Sequence, residues 1–221
     1  MRNIILDFKN VSFAYPQSKK LFDNISMGIE SGRFYLLQGV SGAGKTTFLR
    51  LANRLEEPSA GEILFNEQPL CCYSPTVLRR SILYFHQIPQ LVDGSIRENL
   101  LLPFQFKQNQ DLTVPDEKRM MDFMERLLLF DVKLESPAMN LSTGQQQRVC
   151  FIRGLLLSPE VLLLDEPASA LDDKSGTVVL EIARELCRTS GLTILMASHR
   201  IFGEGDIEPV VITFAEGNIL L

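Results

Sequence analysis

Gly39-Val40-Ser41-Gly42-Ala43-Gly44-Lys45-Thr46 decides the fold. The string satisfies GxxxxGK(S/T), and its surroundings matter more than its letters. The apolar run Phe34 to Leu37 leads into it. A helically spaced set (Phe48, Leu49, Leu51, Ala52, Leu55) follows until Pro58-Ser59-Ala60-Gly61 stops it. Strand, glycine-rich loop and helix in that order make a phosphate cradle. Gly39, Gly42 and Gly44 let the backbone approach phosphates where a Cβ would clash. Free amides and a helix N-terminus then face the anion. Lys45 supplies a mobile positive charge for the β- and γ-phosphates, and the Thr46 hydroxyl is suited to Mg²⁺. The expected nucleoside triphosphate site is Gly39, Val40, Ser41, Gly42, Ala43, Gly44, Lys45 and Thr46, with adjoining Thr47.

Downstream, Val161-Leu162-Leu163-Leu164 ends in Asp165-Glu166. Four apolar residues bury the strand, and the carboxylates emerge at its C-terminal end, where open α/β sheets bind ligands. Two adjacent carboxylates there suit two tasks: Asp165 holding Mg²⁺ through water, and Glu166 polarising an attacking water. Other expected strands are Leu6 to Tyr15, Ile25 to Ile29, Arg33 to Leu37, Glu62 to Phe65, Ile82 to Phe85, Thr193 to Ala197, Val210 to Phe214 and Ile219 to Leu221. Helices are expected at Val77 to Ser81 and Ser175 to Arg188. Strands alternating with helices, several of them continuously apolar, predict an α/β fold with a mainly parallel sheet.

Residues 87–150 differ in character, and Asp116 to Phe130 reads as a helix. Its stripe of Met120, Met121, Phe123, Met124, Leu127 and Leu128 is expected to be core packing. Ser142-Thr143-Gly144-Gln145 forms a capping box that opens another helix. Its amides and positive dipole end would point outward.

The chain has 221 residues, enough for one compact domain with an inserted lobe. A formal net charge of -5 argues against nucleic-acid binding by bulk charge, so no nucleic acid is expected as a partner. The four cysteines form neither CxxC nor a Cys/His cluster, which predicts a reduced intracellular protein. Adjacent Cys71 and Cys72 are expected to be packing residues. The start, Met1 to Asp7, meets a carboxylate before any secretory apolar core develops. No apolar run reaches the ~18 residues needed to cross a bilayer, so membrane work would need spanning helices from another chain.

Leu141-Ser142-Thr143-Gly144-Gln145-Gln146-Gln147-Arg148 resembles the LSGGQ signature of ABC ATPases. Ser169-Ala170-Leu171-Asp172 is similar to their D-loop. Gln87 follows a strand as the Q-loop glutamine does, His199 follows the last buried strand as the switch histidine does, and Tyr15 sits where the family places an aromatic against adenine. His86 matches no motif. The order and spacing agree with the family from Tyr15 to His199.

The resemblance implies a P-loop NTPase core with an N-terminal antiparallel β-subdomain and an inserted helical lobe. The whole of 1–221 would be one ATPase domain, with residues 1–86 and 151–221 as the nucleotide-binding core and 87–150 as the lobe. It implies ATP and Mg²⁺ as cofactors, with Tyr15 stacked on the base and Thr46, Gln87 and Asp165 around the metal. Glu166 would be the general base, Gln87 a γ-phosphate sensor, and His199 a γ-phosphate ligand. Two copies would pair head to tail, so that Ser142, Thr143, Gly144, Gln145 and Asp172 complete the partner's site. The expected location is cytoplasmic, peripheral on the inner face of the membrane, with the lobe gripping a polytopic permease. The sequence departs from the family pattern at Thr143, where glycine is usual, and a side chain there is expected to leave the site working.

The run Gln90 to Phe104, continuing Pro103-Phe104-Gln105, is most similar to a small group of bacterial ATPases linked to metal (iron) export. The alternative is a soluble ABC ATPase of DNA repair or translation, but the chain shows neither a long coiled-coil insertion nor a second ATPase domain. A nucleotide kinase conflicts with the signature and with His199. No control by a C-terminal appendage is expected after Glu216-Gly217-Asn218.

Overall fold

A computed structural model of the chain describes residues 3–16, 20–85, 88–167, 173–198, 208–215 and 218–220. Contacts divide it into two units: Met1–Tyr84 with Glu160–Glu166 and Arg184–Leu221, and Phe85–Pro159 with Pro167–Ala183. The second unit continues past residue 150 because the helix Thr143–Leu155 runs unbroken through that point.

The first unit opens with β1 (Ile4–Phe13) and β2 (Phe22–Glu30), an antiparallel pair with Ile4 opposite Glu30 and Phe13 opposite Phe22. β3 (Phe34–Gly39) runs into α1 (Lys45–Ala52). Next come β4 (Ala60–Phe65), β5 (Gln68–Pro69), α2 (Pro75–Ser81) and β6 (Ile82–Phe85). α3 (Ile96–Leu101), α4 (Glu117–Arg126) and α5 (Thr143–Leu155) follow, then β7 (Val161–Asp165), α6 (Asp173–Ser190), β8 (Thr193–Ala197), β9 (Val210–Ala215) and β10 (Asn218–Leu220). The antiparallel sheet has the order β2-β1-β4-β5, and the larger sheet β10-β9-β3-β8-β7-β6. In the larger sheet β3 pairs in parallel with β8 and β9, and β7 with β8. The expected α/β class, mainly parallel sheet and N-terminal antiparallel sheet are all present.

α1 sits between the two sheets because one of its inward residues, Phe48, packs against aromatic rings of both. Phe48 stacks on Phe8 of β1 with ring centroids 4.4 Å apart. It also meets Phe22 of β2 and Phe214 of β9 edge-on, at 6.3 and 5.5 Å. Leu49, Leu51 and Ala52 are buried beside it, so the helix that follows the glycine loop is clamped by packing. The strand register serves the same end, since β3 delivers the chain to Gly39 with Leu36 and Leu37 buried.

The second unit is helical. Ser95 and Glu98 form a reciprocal cap on α3, and the Asp116 carboxylate accepts from the Arg119 amide at 2.8 Å to start α4. Met120, Phe123, Met124 and Leu127 are buried, as expected of a packing stripe. Met121 is a correction: it points outward and is exposed, being one residue off the buried face. The helix also ends at Arg126, short of Phe130. Leu128 adopts a left-handed φ of 55°, and the Leu129 amide returns to the Met124 carbonyl at 2.9 Å. That turn buries Leu129 and leaves Phe130 outside.

Cys71 and Cys72 are a second correction. Both are exposed on a 3₁₀ turn whose inward residue is Leu70, so they are not packing residues. The cysteines are free thiols, and no helix among the described residues is long and apolar enough to cross a membrane.

Candidate nucleotide site

The loop between β3 and α1 has the backbone that close phosphate approach requires. Gly44, the residue that caps α1, has φ 101°, and a Cβ there would lie 2.8 Å from the Phe22 ring. Gly39 is equally confined, its Cβ position falling 2.6 Å from the Phe214 carbonyl oxygen. Val40, Ser41 and Gly42 are exposed, whereas Ala43 and Thr46 are half-buried and Lys45 and Thr47 buried. The Lys45 ammonium donates to the Gly39 carbonyl at 2.7 Å and the Val40 carbonyl at 3.1 Å, which keeps its charge inside the loop.

Asp165 closes β7 opposite this loop. Its Oδ1 accepts from the Thr46 hydroxyl at 3.0 Å, and its Oδ2 accepts from the Tyr84 hydroxyl at 2.6 Å. A hydroxyl and a carboxylate facing each other form a hard-oxygen donor set that fits Mg²⁺. Glu166 follows with a left-handed φ of 49°, its amide donating to the Ala197 carbonyl at 3.0 Å. Non-glycine residues rarely hold this conformation, and such strain gathers at functional positions.

Tyr15 lies beside the same helix. Its hydroxyl shares a hydrogen bond of 3.1 Å with that of Thr47, and its ring meets Phe13 edge-on at 4.9 Å. The structure thus gathers Tyr15, Lys45, Thr46, Thr47 and Asp165 around one loop. Gln87, Asp172 and His199 lie outside the described residues, as do His86 and the stretch 168–172.

Two residues of this site were missed in the sequence. Tyr84 sits at the end of β6, and burial first, then the Asp165 carboxylate, push its phenol well above the ordinary range. Arg50 lies against the hydroxyls of both Tyr84 and Tyr15. Burial opposes its charge, but those contacts outweigh burial and raise its pKa. A tyrosine among the apolar residues of a strand was the available signal, because a buried phenol seeks a partner. Arg50 stands four residues after Thr46, on the same helix face.

In the second unit, Ser142 caps α5 as expected. Its Oγ accepts from the Gln145 amide at 3.3 Å, and Gln145 Oε1 accepts from the Ser142 amide at 2.9 Å. Ser142 and Thr143 are exposed, with Gly144 and Gln145 half-buried behind them. Thr143 is the first residue of α5, a position that places no demand for glycine. Replacing Ser142 by Ala removes one cap bond and is expected to lower stability by about 1 kcal/mol in denaturant unfolding. A change within 0.2 kcal/mol would show that the box contributes nothing to the fold.

The same unit carries a cleft of ≈ 710 Å³. Leu91, Val92, Pro103, Phe106 and Met139 line it, with Arg153 at its edge donating to the Gln90 carbonyl at 2.9 Å. Phe106 and Met139 are 49% and 57% exposed, high for large apolar side chains.

Comparison with known proteins bears on these features together. The family model described as ABC transporter matches residues 22–169. The probable iron export ATP-binding protein FetA of Escherichia coli is 33% identical over 195 residues, covering 88% of this chain and 84% of FetA. Among solved structures, cbiO1 of Clostridium perfringens, part of the ABC transporter complex cbiONQ, superposes with a TM-score of 0.79 at 28% identity. That alignment covers 99% of this chain and 88% of cbiO1. The dimeric post-hydrolysis structure of the ATP-binding cassette MJ0796, bound to ADP and Pi, gives a TM-score of 0.78 at 27% identity, covering 96% of this chain and 95% of that one.

Proposed function

The chain belongs to the ABC transporter family of ATP-hydrolysing proteins, and from that premise we propose that it drives a separate membrane permease as one of two copies paired head to tail. The observation that carries this reading is the Ser142-capped start of α5. It is an exposed, anion-seeking helix end, in a protein whose phosphate loop already has its own cation in Lys45. Such an end is of use when it faces the nucleotide of a second copy. The dimeric MJ0796 structure supports that pairing, and cbiO1, part of a transporter complex, supports the permease.

Within each site, the loop amides from Gly39 to Thr46 hold phosphate oxygens and Lys45 spans the outer two phosphates. Tyr15 stacks on the base. Thr46 and Asp165, with Gln87, hold Mg²⁺, which when bound neutralises charge developing on the transferred phosphoryl group. Glu166 takes the proton of the attacking water, and His199 steadies the γ-phosphate. Ser142, Thr143, Gly144, Gln145 and Asp172 complete the partner copy's site. The apolar cleft beside Phe106 receives a cytoplasmic helix of the permease, and the chain works at the inner face of the membrane. FetA, as the relative named for iron export, supports metal export as the transport class.

The test is co-purification from native membranes, with a polytopic membrane protein as the expected companion. The permease is expected to travel with the ATPase, and Phe106→Asp in the cleft is expected to reduce the recovered permease by about tenfold or more, at the ~1.4 kcal/mol per decade of binding. Thermal stability should be unchanged in that variant, because Phe106 is exposed. Association with ribosomes or DNA in place of a membrane protein would instead favour a soluble ABC ATPase.

A further inference from the structure

Asp165 is held at both oxygens, by hydroxyls from two different elements, α1 and β6. Thr46 donates to Oδ1 at 3.0 Å and Tyr84 donates to Oδ2 at 2.6 Å. A carboxylate bonded at one oxygen can still turn about its Cβ–Cγ bond, whereas one bonded at both cannot. The Tyr84 bond is the shorter of the two, in the range typical of a hydroxyl donating to an ionised acceptor. Arg50, a neighbour of the same phenol, offers only donors. A neighbour with donors alone cannot compete with Asp165 for the phenol's hydrogen, so the O–H stays directed at the carboxylate. Arg50 also lies against Tyr15, whose hydroxyl meets Thr47.

We propose that Tyr84 is a positioning residue for Mg²⁺: its hydroxyl fixes the rotation of the Asp165 carboxylate so that the other oxygen faces Thr46 and the metal, and Arg50 orients that hydroxyl. The inference rests on the assignment of Thr46 and Asp165 to the metal. The Thr46 hydroxyl would offer a lone pair to the cation while its hydrogen stays with Oδ1. The Tyr84 bond to Oδ2 is not consumed, so it keeps the carboxylate aligned as the metal binds. Partners of metal ligands commonly alter metal affinity by 10- to 100-fold when removed. Asp165 acts through water, so Tyr84 is expected at the lower end.

The experiment measures binding of a fluorescent ATP analogue to the full chain, first in EDTA and then across a Mg²⁺ titration. Tyr84→Phe retains the ring and removes only the donor. Its affinity in EDTA is expected to stay within about twofold of the parent, while the Mg²⁺ concentration for the half-maximal response rises about tenfold. Arg50→Gln is expected to move the same midpoint in the same direction, by about threefold, in line with its place one step further from the metal. A Tyr84→Phe midpoint equal to the parent's would overturn the proposal. Equal losses in EDTA and Mg²⁺ would overturn it too, since they mark a general disturbance of the loop. If Tyr84→Phe does not fold, Arg50→Gln decides by the same midpoint: a rise supports the inference and no change rejects it. A parent chain whose nucleotide binding ignores Mg²⁺ would instead remove the metal assignment beneath it.

Discussion

Glu166→Gln is expected to lower steady-state ATP turnover by about 10²- to 10⁴-fold, the usual contribution of a positioned general base, while ATP binding persists. The substitution is nearly isosteric. It keeps the backbone arrangement that defines this position, with φ at 49° and the amide tied to the Ala197 carbonyl. Holding a non-glycine residue in that left-handed state costs about 1–2 kcal/mol, and glutamine carries the same cost as glutamate. Thermal stability should therefore not change, and the loss should appear in turnover alone. A second consequence follows from the proposed pairing: with ATP bound and not consumed, the variant should accumulate as a dimer in size-exclusion chromatography. Turnover within threefold of the parent would remove Glu166 as the base and direct attention to Gln87 or His199.

Lys45→Ala is expected to weaken ATP binding by about 100-fold or more. Hydrogen bonds to charged groups are each worth about 1.5–3 kcal/mol, and an ammonium spanning two phosphates makes more than one. The structure adds a further cost. Lys45 is 6% exposed and bonds to the Gly39 and Val40 carbonyls, so its removal also frees those groups and loosens the loop. The measurement is direct binding of a fluorescent ATP analogue, with circular dichroism to verify the fold. Affinity within fivefold of the parent would mean that the loop amides carry phosphate binding without the lysine. Lys45→Arg is expected to recover little, because its planar, larger head does not fit a pocket sized for an ammonium.

The parts legible in the sequence are those governed by local rules. The glycine loop needs close backbone approach, the Val161 to Leu164 run needs burial on both sides, and Ser142 with Gln145 writes its own cap. Each signal lies within a few consecutive residues, and the structure has the corresponding feature in each place. What was not legible depends on residues distant in the chain. Tyr84 meets Asp165 across 81 positions, a contact created by strand order in the sheet and invisible to periodicity. The cysteines failed for a related reason: Leu70 takes the single inward place on a short turn, and hydrophobicity alone does not say which neighbour will take it. Met121 reads like Met120 in composition but falls one residue off the buried face. Helix boundaries shifted where a left-handed residue intervened, as at Leu128, because nothing about leucine announces that conformation.

Phe48 bears on the kinetics of nucleotide exchange. Stacked against Phe8 and wedged against Phe214, it anchors α1 to both sheets, so the phosphate loop is held in shape by the hydrophobic core. Little ordering entropy is then left for the binding step. A nucleotide meets a phosphate loop already in shape, and its rate of arrival is set by diffusion and charge, which differ little among nucleoside triphosphates. Discrimination among them consequently falls on residence time: the correct ligand stays longer, though it arrives no sooner.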